Sequence, residues 1–159
     1  MFKTTICKDI FVENCFLNEN LRLTIKEKIK NLESTCSFEH GYVIKVYDDM
    51  KLLKNSVSPE GIFVNTQFSL KTFKPTVNQV YECDVKIIYF QYVLASILGK
   101  ADILIDSNNM KNYKFNKSSN SFVSEDPIKN EIKVGSKIDV KITLIRFQNQ
   151  KFNCIGTLI

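Results

Sequence analysis

Glycine, arginine and histidine are scarce in this chain. Only five glycines occur among 159 residues, too few for a glycine-rich loop that cradles a phosphate. His40 is the one histidine and stands beside Gly41, so we assign it to a turn or to the surface rather than to catalysis. P-loop, nucleophile-elbow and zinc-protease motifs are absent from the sequence. The sequence therefore predicts no catalytic machinery, no metal site and no cofactor.

The cysteines are not arranged as in a disulfide-rich or zinc-binding protein. The five cysteines are odd in number and none forms a C-x-x-C pair, which argues against both a disulfide scaffold and a zinc site. Cys83 and Cys154 fall within alternating apolar runs and are predicted to be small core residues. Met1–Val12 is interrupted by charges, so we expect no signal peptide, no membrane span and an intracellular location.

The positive charge of the chain comes almost entirely from lysine. The net charge is +5, and Arg22 and Arg146 are the only arginines. Lysine is a flexible point charge that lacks the bidentate fork of arginine. A polyanionic partner would therefore be held by sequence-independent phosphate contacts rather than by reading of bases.

The first half of the chain mixes strand and helix signals. Apolar residues recur at helical spacing from Leu21 to about Leu32, and this pattern predicts one amphipathic helix. Polar turns are expected at Asp48–Lys54 and at Ser58–Gly61, where proline and glycine favour tight geometry. The predicted strands are Met1–Val12, Cys36–Tyr47 and a third that spans Ile62 to Leu70. The result is a β-α-β-β module with its helix lying on a sheet.

A joint divides the chain at Phe73-Lys74-Pro75. Proline cannot donate to a sheet ladder, so it ends the strand that precedes it. A new alternating strand begins at Val80, and almost every later segment reads as β. We therefore predict two domains, residues 1–77 and 78–159, and an α+β fold overall.

The second domain is predicted to be a small all-β barrel of the OB type. The segment Lys111–Asp126, rich in serine and asparagine, is expected to be a mobile loop rather than core. The candidate barrel strands are Val80–Phe90, Tyr92–Leu98, Ala101–Ile105, Lys137–Phe147 and Lys151–Ile159.

Aromatic and basic residues interleave near two predicted hairpins of this barrel. OB barrels bind single strands by stacking bases on aromatic rings and by holding the backbone with cations. Phe152 alternates with Cys154 and is the aromatic most suited to the core. The candidate RNA-binding residues are Lys86, Tyr89, Tyr92, Arg146, Phe147 and Lys151.

Several short motifs, taken in order, resemble one known family. The chain is similar to the seventh subunit of eukaryotic RNA polymerase II and to its archaeal counterpart, including compact versions encoded by large DNA viruses. The family usually has a glycine in the first barrel hairpin, where this chain has Gln91-Tyr92. The motifs that carry the resemblance are Gly41-Tyr-Val-Ile-Lys-Val46, Pro59-Glu-Gly61, Phe68-x-x-x-x-Phe73-Lys-Pro75, Val80-Tyr-Glu-Cys-Asp-Val85, Val134-Gly-Ser-Lys-Ile-Asp-Val140 and Ile155-Gly-Thr-Leu158.

The resemblance implies a non-catalytic stalk subunit of a multisubunit DNA-directed RNA polymerase. Its N-terminal tip domain would dock on the core subunits near the clamp, and its OB domain would contact nascent single-stranded RNA and support initiation. It also implies a smaller stalk partner, and no membrane. A cellular eukaryotic version would be nuclear; a viral one would be cytoplasmic or in the virion. The residues expected at the polymerase contact are Leu52, Leu53, Pro59, Gly61 and Ile62.

Two other functions compete with this one. A free-standing OB-fold RNA-binding protein of translation or RNA metabolism would explain the barrel but not the fused N-terminal module. A small enzyme could use the paired carboxylates Asp48-Asp49 or Glu125-Asp126, but both pairs lie in predicted turns, where acidic residues are common for conformational reasons.

Overall fold

The computed structural model describes all 159 residues and is mostly β-structure. The chain divides into two compact units, residues 1–74 and 75–159. The division predicted from the sequence falls slightly later, after Val77. The helices present are not long and apolar enough for any of them to cross a membrane.

The first unit contains one α-helix and five strands. The elements are β1 (Phe2–Glu13), α1 (Leu21–Lys30), β2 (Cys36–Ser37), β3 (Gly41–Val46), β4 (Lys51–Ser58) and β5 (Gly61–Phe73). The strands form a single antiparallel sheet in the order β1-β5-β3-β2, and β4 also pairs with β5. A short 3-10 turn follows β1 at Asn14–Phe16.

The core of this unit lies between α1 and one face of the sheet. Ile25 and Ile29, one turn apart on the predicted apolar stripe, are both buried. Alternate residues of the sheet strands meet them, because side chains on a strand point to opposite faces in turn. The buried sheet residues of this cluster are Ile10, Val12, Val43, Val64, Phe68 and Leu70.

Two predictions for this unit are wrong. Asp48–Lys54 is not one polar turn, since β4 begins at Lys51 and pairs with β5. Cys36–Tyr47 is not one strand, because the turn Phe38–His40 separates β2 from β3. The unit therefore holds two strands more than the predicted β-α-β-β order. β4 was not predicted from local composition because its residues are mostly polar. It is a strand because it pairs with β5.

The second unit is a closed five-stranded barrel with an added hairpin. The strands of the unit are β6 (Val80–Ile88), β7 (Tyr92–Ile97), β8 (Ala101–Asp106), β9 (Tyr113–Asn116), β10 (Ser121–Ser124), β11 (Lys137–Gln148) and β12 (Lys151–Leu158). The barrel order is β11-β12-β8-β7-β6, closed by the pairing of β11 with β6. Only the β8–β12 pair is parallel. These five barrel strands lie where the sequence predicts them.

Small and branched side chains fill the barrel. Cys83 and Cys154 are buried, as predicted, and burial raises the pKa of their thiols to about 12 and about 11 respectively. Gly156 faces the same interior. A Cβ atom there would come within 2.4 Å of Val140 Cγ1 and 2.8 Å of Ile103 Cδ1. The interior therefore leaves no room for a side chain at this position.

The prediction of a loop at Lys111–Asp126 is wrong. β9 and β10 form an antiparallel hairpin within it, and the serine and asparagine cluster supplies only the turn. Phe122 is 1% exposed, its ring lies 5.4 Å from that of Phe115, and its backbone exchanges two hydrogen bonds of 2.9 Å with Ile132. Phe122 is therefore the buried aromatic residue around which this serine- and asparagine-rich hairpin packs.

Candidate nucleic-acid and protein interfaces

The hairpin between β6 and β7 presents an aromatic pair. The backbones of Tyr89 and Tyr92 exchange hydrogen bonds of 2.9 and 3.3 Å, so the turn closes without glycine. Their ring centroids are 4.8 Å apart. Phe90, at the tip, is 63% exposed. Lys86 lies exposed at the register shift between Val85 and Ile87. The hairpin therefore offers exposed rings and one cation.

The hairpin between β11 and β12 presents two cations but little free aromatic surface. Arg146 and Lys151 are exposed. Phe147 lies opposite Phe152, with ring centroids 4.8 Å apart. Phe152 is buried, as predicted, and Phe147 is only partly exposed. Asn149 has a positive φ at the tip, which suits a tight turn. This hairpin is better suited to phosphate contact than to base stacking.

The structure does not bring these two hairpins together. Tyr92 lies opposite Asp106 at the carboxyl end of β8, and Ile105 pairs with Gly156 near the end of β12. Phe152 stands at the other end of β12. At about 3.3 Å per residue, the stretch from Phe152 to Gly156 offsets the two hairpins by roughly 13 Å along the strand direction. The six predicted RNA-binding residues thus form two clusters at opposite ends of the barrel strands.

The barrel exterior between the clusters carries an apolar row, with acidic residues on β8 and the exposed Lys141 on β11. One row of residues, each paired directly with the next on the neighbouring strand, crosses all five barrel strands. Every residue of this row is exposed or half-buried. Asp102 and Asp106 of β8 flank this row, and neither β7 nor β8 contains a lysine or an arginine. Acidic residues without neighbouring cations make the β7–β8 part of this surface less suited to phosphate contact than the hairpins. The row consists of Ile87, Leu94, Leu104, Ile155 and Leu144.

The residues expected at a polymerase contact divide between surface and core. Leu53 is 50% exposed, and Pro59 is exposed in the turn between β4 and β5. Leu52 and Ile62 instead pack against the core. Gly61 is buried, and a Cβ atom there would lie 2.1 Å from the carbonyl oxygen of Val12. Leu52 and Leu53 fall within the predicted turn Asp48–Lys54 but lie on strand β4, and they differ in burial because consecutive residues of a strand point to opposite faces.

The hairpin of β4 and β5 also exposes apolar residues that sequence reasoning missed. Val57 is 87% exposed, and Phe63 is 41% exposed with its ring 5.0 Å from that of Phe11. Phe63 and Phe11 are direct cross-strand partners. The alternation of side chains along β5 could have predicted that Phe63 lies on the face opposite Val64. No local signal predicted that β4 is the strand beside β5.

The paired carboxylates make structural contacts. The Asp49 carboxylate accepts a 2.9 Å hydrogen bond from the Ser69 amide, and hydrogen bonding from Ser69 lowers its pKa. Asp48 forms a 2.8 Å salt bridge with Lys26. In the second pair, Glu125 forms a salt bridge of 2.7 Å with Lys114. These carboxylates therefore hold strands, turns and the helix in place.

The histidine also belongs to a turn. The His40 amide donates a 3.1 Å hydrogen bond to Ser37 Oγ, across the turn between β2 and β3. Its ring Nε2 lies 3.7 Å from a carboxylate oxygen of the neighbouring Glu39. No group of three or more histidine, cysteine or acidic residues comes together to hold a metal ion.

Comparison of the chain with protein-family models and with curated proteins finds no match.

Proposed function

We propose that this protein is a non-catalytic stalk subunit of a multisubunit DNA-directed RNA polymerase. The observation that carries the proposal is the strand order of the barrel. β6, β7 and β8 form a meander, β12 pairs in parallel with β8, and β11 closes the barrel against β6. This order is compatible with a five-stranded Greek-key barrel of the OB type, a fold that binds oligonucleotides.

The N-terminal unit supports a docking role. A free-standing OB protein does not need a helix-covered sheet placed before the joint at Phe73-Lys74-Pro75. The hairpin of β4 and β5 exposes Leu53, Val57 and Pro59. Apolar residues grouped on an exposed hairpin are a common feature of protein contacts. We assign this hairpin to the contact with the polymerase core near the clamp, with a smaller stalk protein as a second partner.

RNA contact in this proposal is made by the two barrel hairpins. Tyr89 and Phe90 stack bases, while Lys86, Arg146 and Lys151 contact phosphates. Because most of these cations are lysines, binding discriminates little between bases. The apolar and acidic surface of β7 and β8 between the hairpins does not take part.

Purification of the tagged protein from its native source tests the assignment. We expect the large catalytic polymerase subunits to copurify in stoichiometric amounts after nuclease treatment. The matched control is a Leu53→Ser, Val57→Ser variant, which keeps the fold and should lose the polymerase. Copurification with ribosomes or other RNA–protein particles, and without polymerase subunits, would support the free-standing RNA-binding protein instead.

A further inference from the structure

The sheet of the first unit carries a row of three lysines on the face opposite α1. Lys3 of β1 lies directly opposite Lys71 of β5, and Lys71 lies directly opposite Lys45 of β3. The preceding residue on β5, Leu70, belongs to the core beneath α1. Since side chains alternate along a strand, the lysines point away from that core. We call Lys3, Lys45 and Lys71 the lysine row.

No acidic side chain neutralises this row by direct pairing. The salt bridges of the chain use other lysines, at positions 26, 28, 114 and 137. Asp49 is close enough for Lys3 to lower its pKa, but its carboxylate accepts the hydrogen bond from the Ser69 amide. Like charges directly opposite each other destabilise a sheet. A row of lysines without salt-bridge partners is suited to a ligand that brings negative charge.

An aromatic ring lies within reach of the row. The Tyr47 amide donates to the Ser69 carbonyl oxygen at 2.9 Å, which places Tyr47 beside β5, next to the lysines. Lys3 Nζ is 4.6 Å from the centroid of the Tyr47 ring, and Lys45 Nζ is 5.7 Å from it. Thr5 adds an exposed hydroxyl, which shares a 3.0 Å hydrogen bond with the buried hydroxyl of Ser69. Cations, a planar ring and one exposed hydroxyl therefore share one sheet face.

We propose that this face is a second binding site, for single-stranded nucleic acid. The lysine row contacts backbone phosphates, and Tyr47 stacks on a base. At about 4.8 Å between strands, the row spans roughly 10 Å and can reach more than one phosphate. A sheet face with cations around an aromatic ring is the surface on which single strands bind without sequence preference. The site is separate from the barrel hairpins and does not depend on the polymerase assignment.

The chemistry favours a nucleic acid over an anionic membrane. A lipid headgroup would satisfy the lysines but would leave the Tyr47 ring without a stacking partner. The ring rests against two flexible lysine side chains, which can swing towards phosphates and free it for a base. Vesicles that contain phosphatidylserine serve as the competing ligand in the test.

The test is fluorescence anisotropy with the full chain and labelled oligouridylate and oligothymidylate of about 12 nucleotides. The row variant is Lys3→Gln, Lys45→Gln, Lys71→Gln. The matched control is Lys30→Gln, Lys117→Gln, Lys129→Gln, which removes the same charge at exposed positions outside the row. We expect the row variant to bind at least about tenfold more weakly at low salt. The slope of log affinity against log salt concentration should be smaller by about 2, because each of the three lost phosphate contacts contributes roughly 0.7. The control should keep most of the affinity and the wild-type slope.

Two substitutions at Tyr47 measure the contribution of base stacking separately from that of charge. This test does not depend on whether the triple lysine variant folds. Tyr47→Phe should bind as wild type does, while Tyr47→Ala should bind about 5- to 150-fold more weakly, the range expected for loss of one stacked base. Circular dichroism and thermal melting verify the fold of each variant.

Three results would overturn the proposal. One is equal affinity of the row variant and its matched control. Another is a loss of binding confined to a Lys86→Glu, Lys151→Glu variant, which would assign the nucleic acid to the barrel hairpins alone. The third is binding of the vesicles with no binding of either oligonucleotide.

Discussion

Lys3 and Lys71 lie directly opposite each other on neighbouring antiparallel strands, although they are far apart in the sequence. Lys45 continues the row on the other side of Lys71. Lys71 is half-buried, whereas Lys3 and Lys45 are exposed, so its charge is the least hydrated of the three. This pairing means that the sheet keeps an unfavourable electrostatic arrangement in its folded state.

Relief of this repulsion should stabilise the protein. We expect Lys71→Thr to raise the free energy of unfolding by about 0.2–1 kcal/mol, because it removes the like-charge neighbour of both other lysines and threonine suits a strand. Urea denaturation measures the change. The gain should shrink as salt is added, since ions screen the repulsion.

The control for this measurement is Lys114→Thr. Lys114 is also on a strand but pairs with Glu125 at 2.7 Å, so its loss should leave stability unchanged or slightly lower. A Lys71→Thr variant less stable than wild type at low salt would show that the row is not repulsive.

Leu52 and Leu53 should respond differently to the same substitution. Leu52 packs against the core, and Leu52→Ser should lower the free energy of unfolding by about 1–3 kcal/mol through lost burial. Leu53 is 50% exposed, and Leu53→Ser should change stability by less than about 0.5 kcal/mol. Chemical denaturation of the two variants measures the difference. Equal losses would mean that both leucines contribute to the core.

Gly156 should tolerate no side chain. Gly156→Ala places a Cβ atom 2.4 Å from Val140 Cγ1 and 2.9 Å from the Lys141 carbonyl oxygen, so the barrel must shift. We expect a loss of about 1–3 kcal/mol, as is usual for overpacking of a filled core. Thermal melting measures it, and Asn153→Ala, at an exposed position of the same strand, is the control. A melting temperature equal to that of wild type would show that the barrel interior has unfilled space.

The two buried thiols should make the protein less stable at high pH. In the folded state Cys83 and Cys154 have pKa values of about 12 and about 11, against an ordinary value of 9.0. Above pH 9 the unfolded chain therefore loses these protons while the folded chain keeps them. The stabilising contribution is present in full below pH 9 and declines as the pH rises towards 11–12.

Denaturation curves between about pH 8 and pH 11 measure this decline for wild type and for Cys83→Ala, Cys154→Ala. The variant should be less stable than wild type at neutral pH because it leaves cavities, but its stability should fall less steeply with pH. Parallel pH profiles would show that other groups cause the decline. As a second measurement, exposed Cys7 and Cys15 should react with a thiol reagent in the folded protein, whereas the buried pair should react only on unfolding.

Local sequence pattern determined much of the architecture. The barrel strands could be predicted because apolar and polar residues alternate along them, and this alternation depends only on neighbouring residues. The helix followed from Ile25 and Ile29 at four-residue spacing. Burial of Cys83, Cys154 and Phe152 followed from the same alternation.

Only the tertiary structure decided which residues meet. β4 is polar and becomes a strand because β5 pairs with it, and Phe122 gives the serine-rich segment a core through a contact with Ile132. Strand register separated the two barrel hairpins and assembled the lysine row. Alternation within a strand sets its buried face, but which strands pair depends on hydrogen bonds between segments far apart in the chain. The sequence by itself thus determined the helix, the barrel strands and their buried faces, whereas the fold decided which charges and rings share a surface.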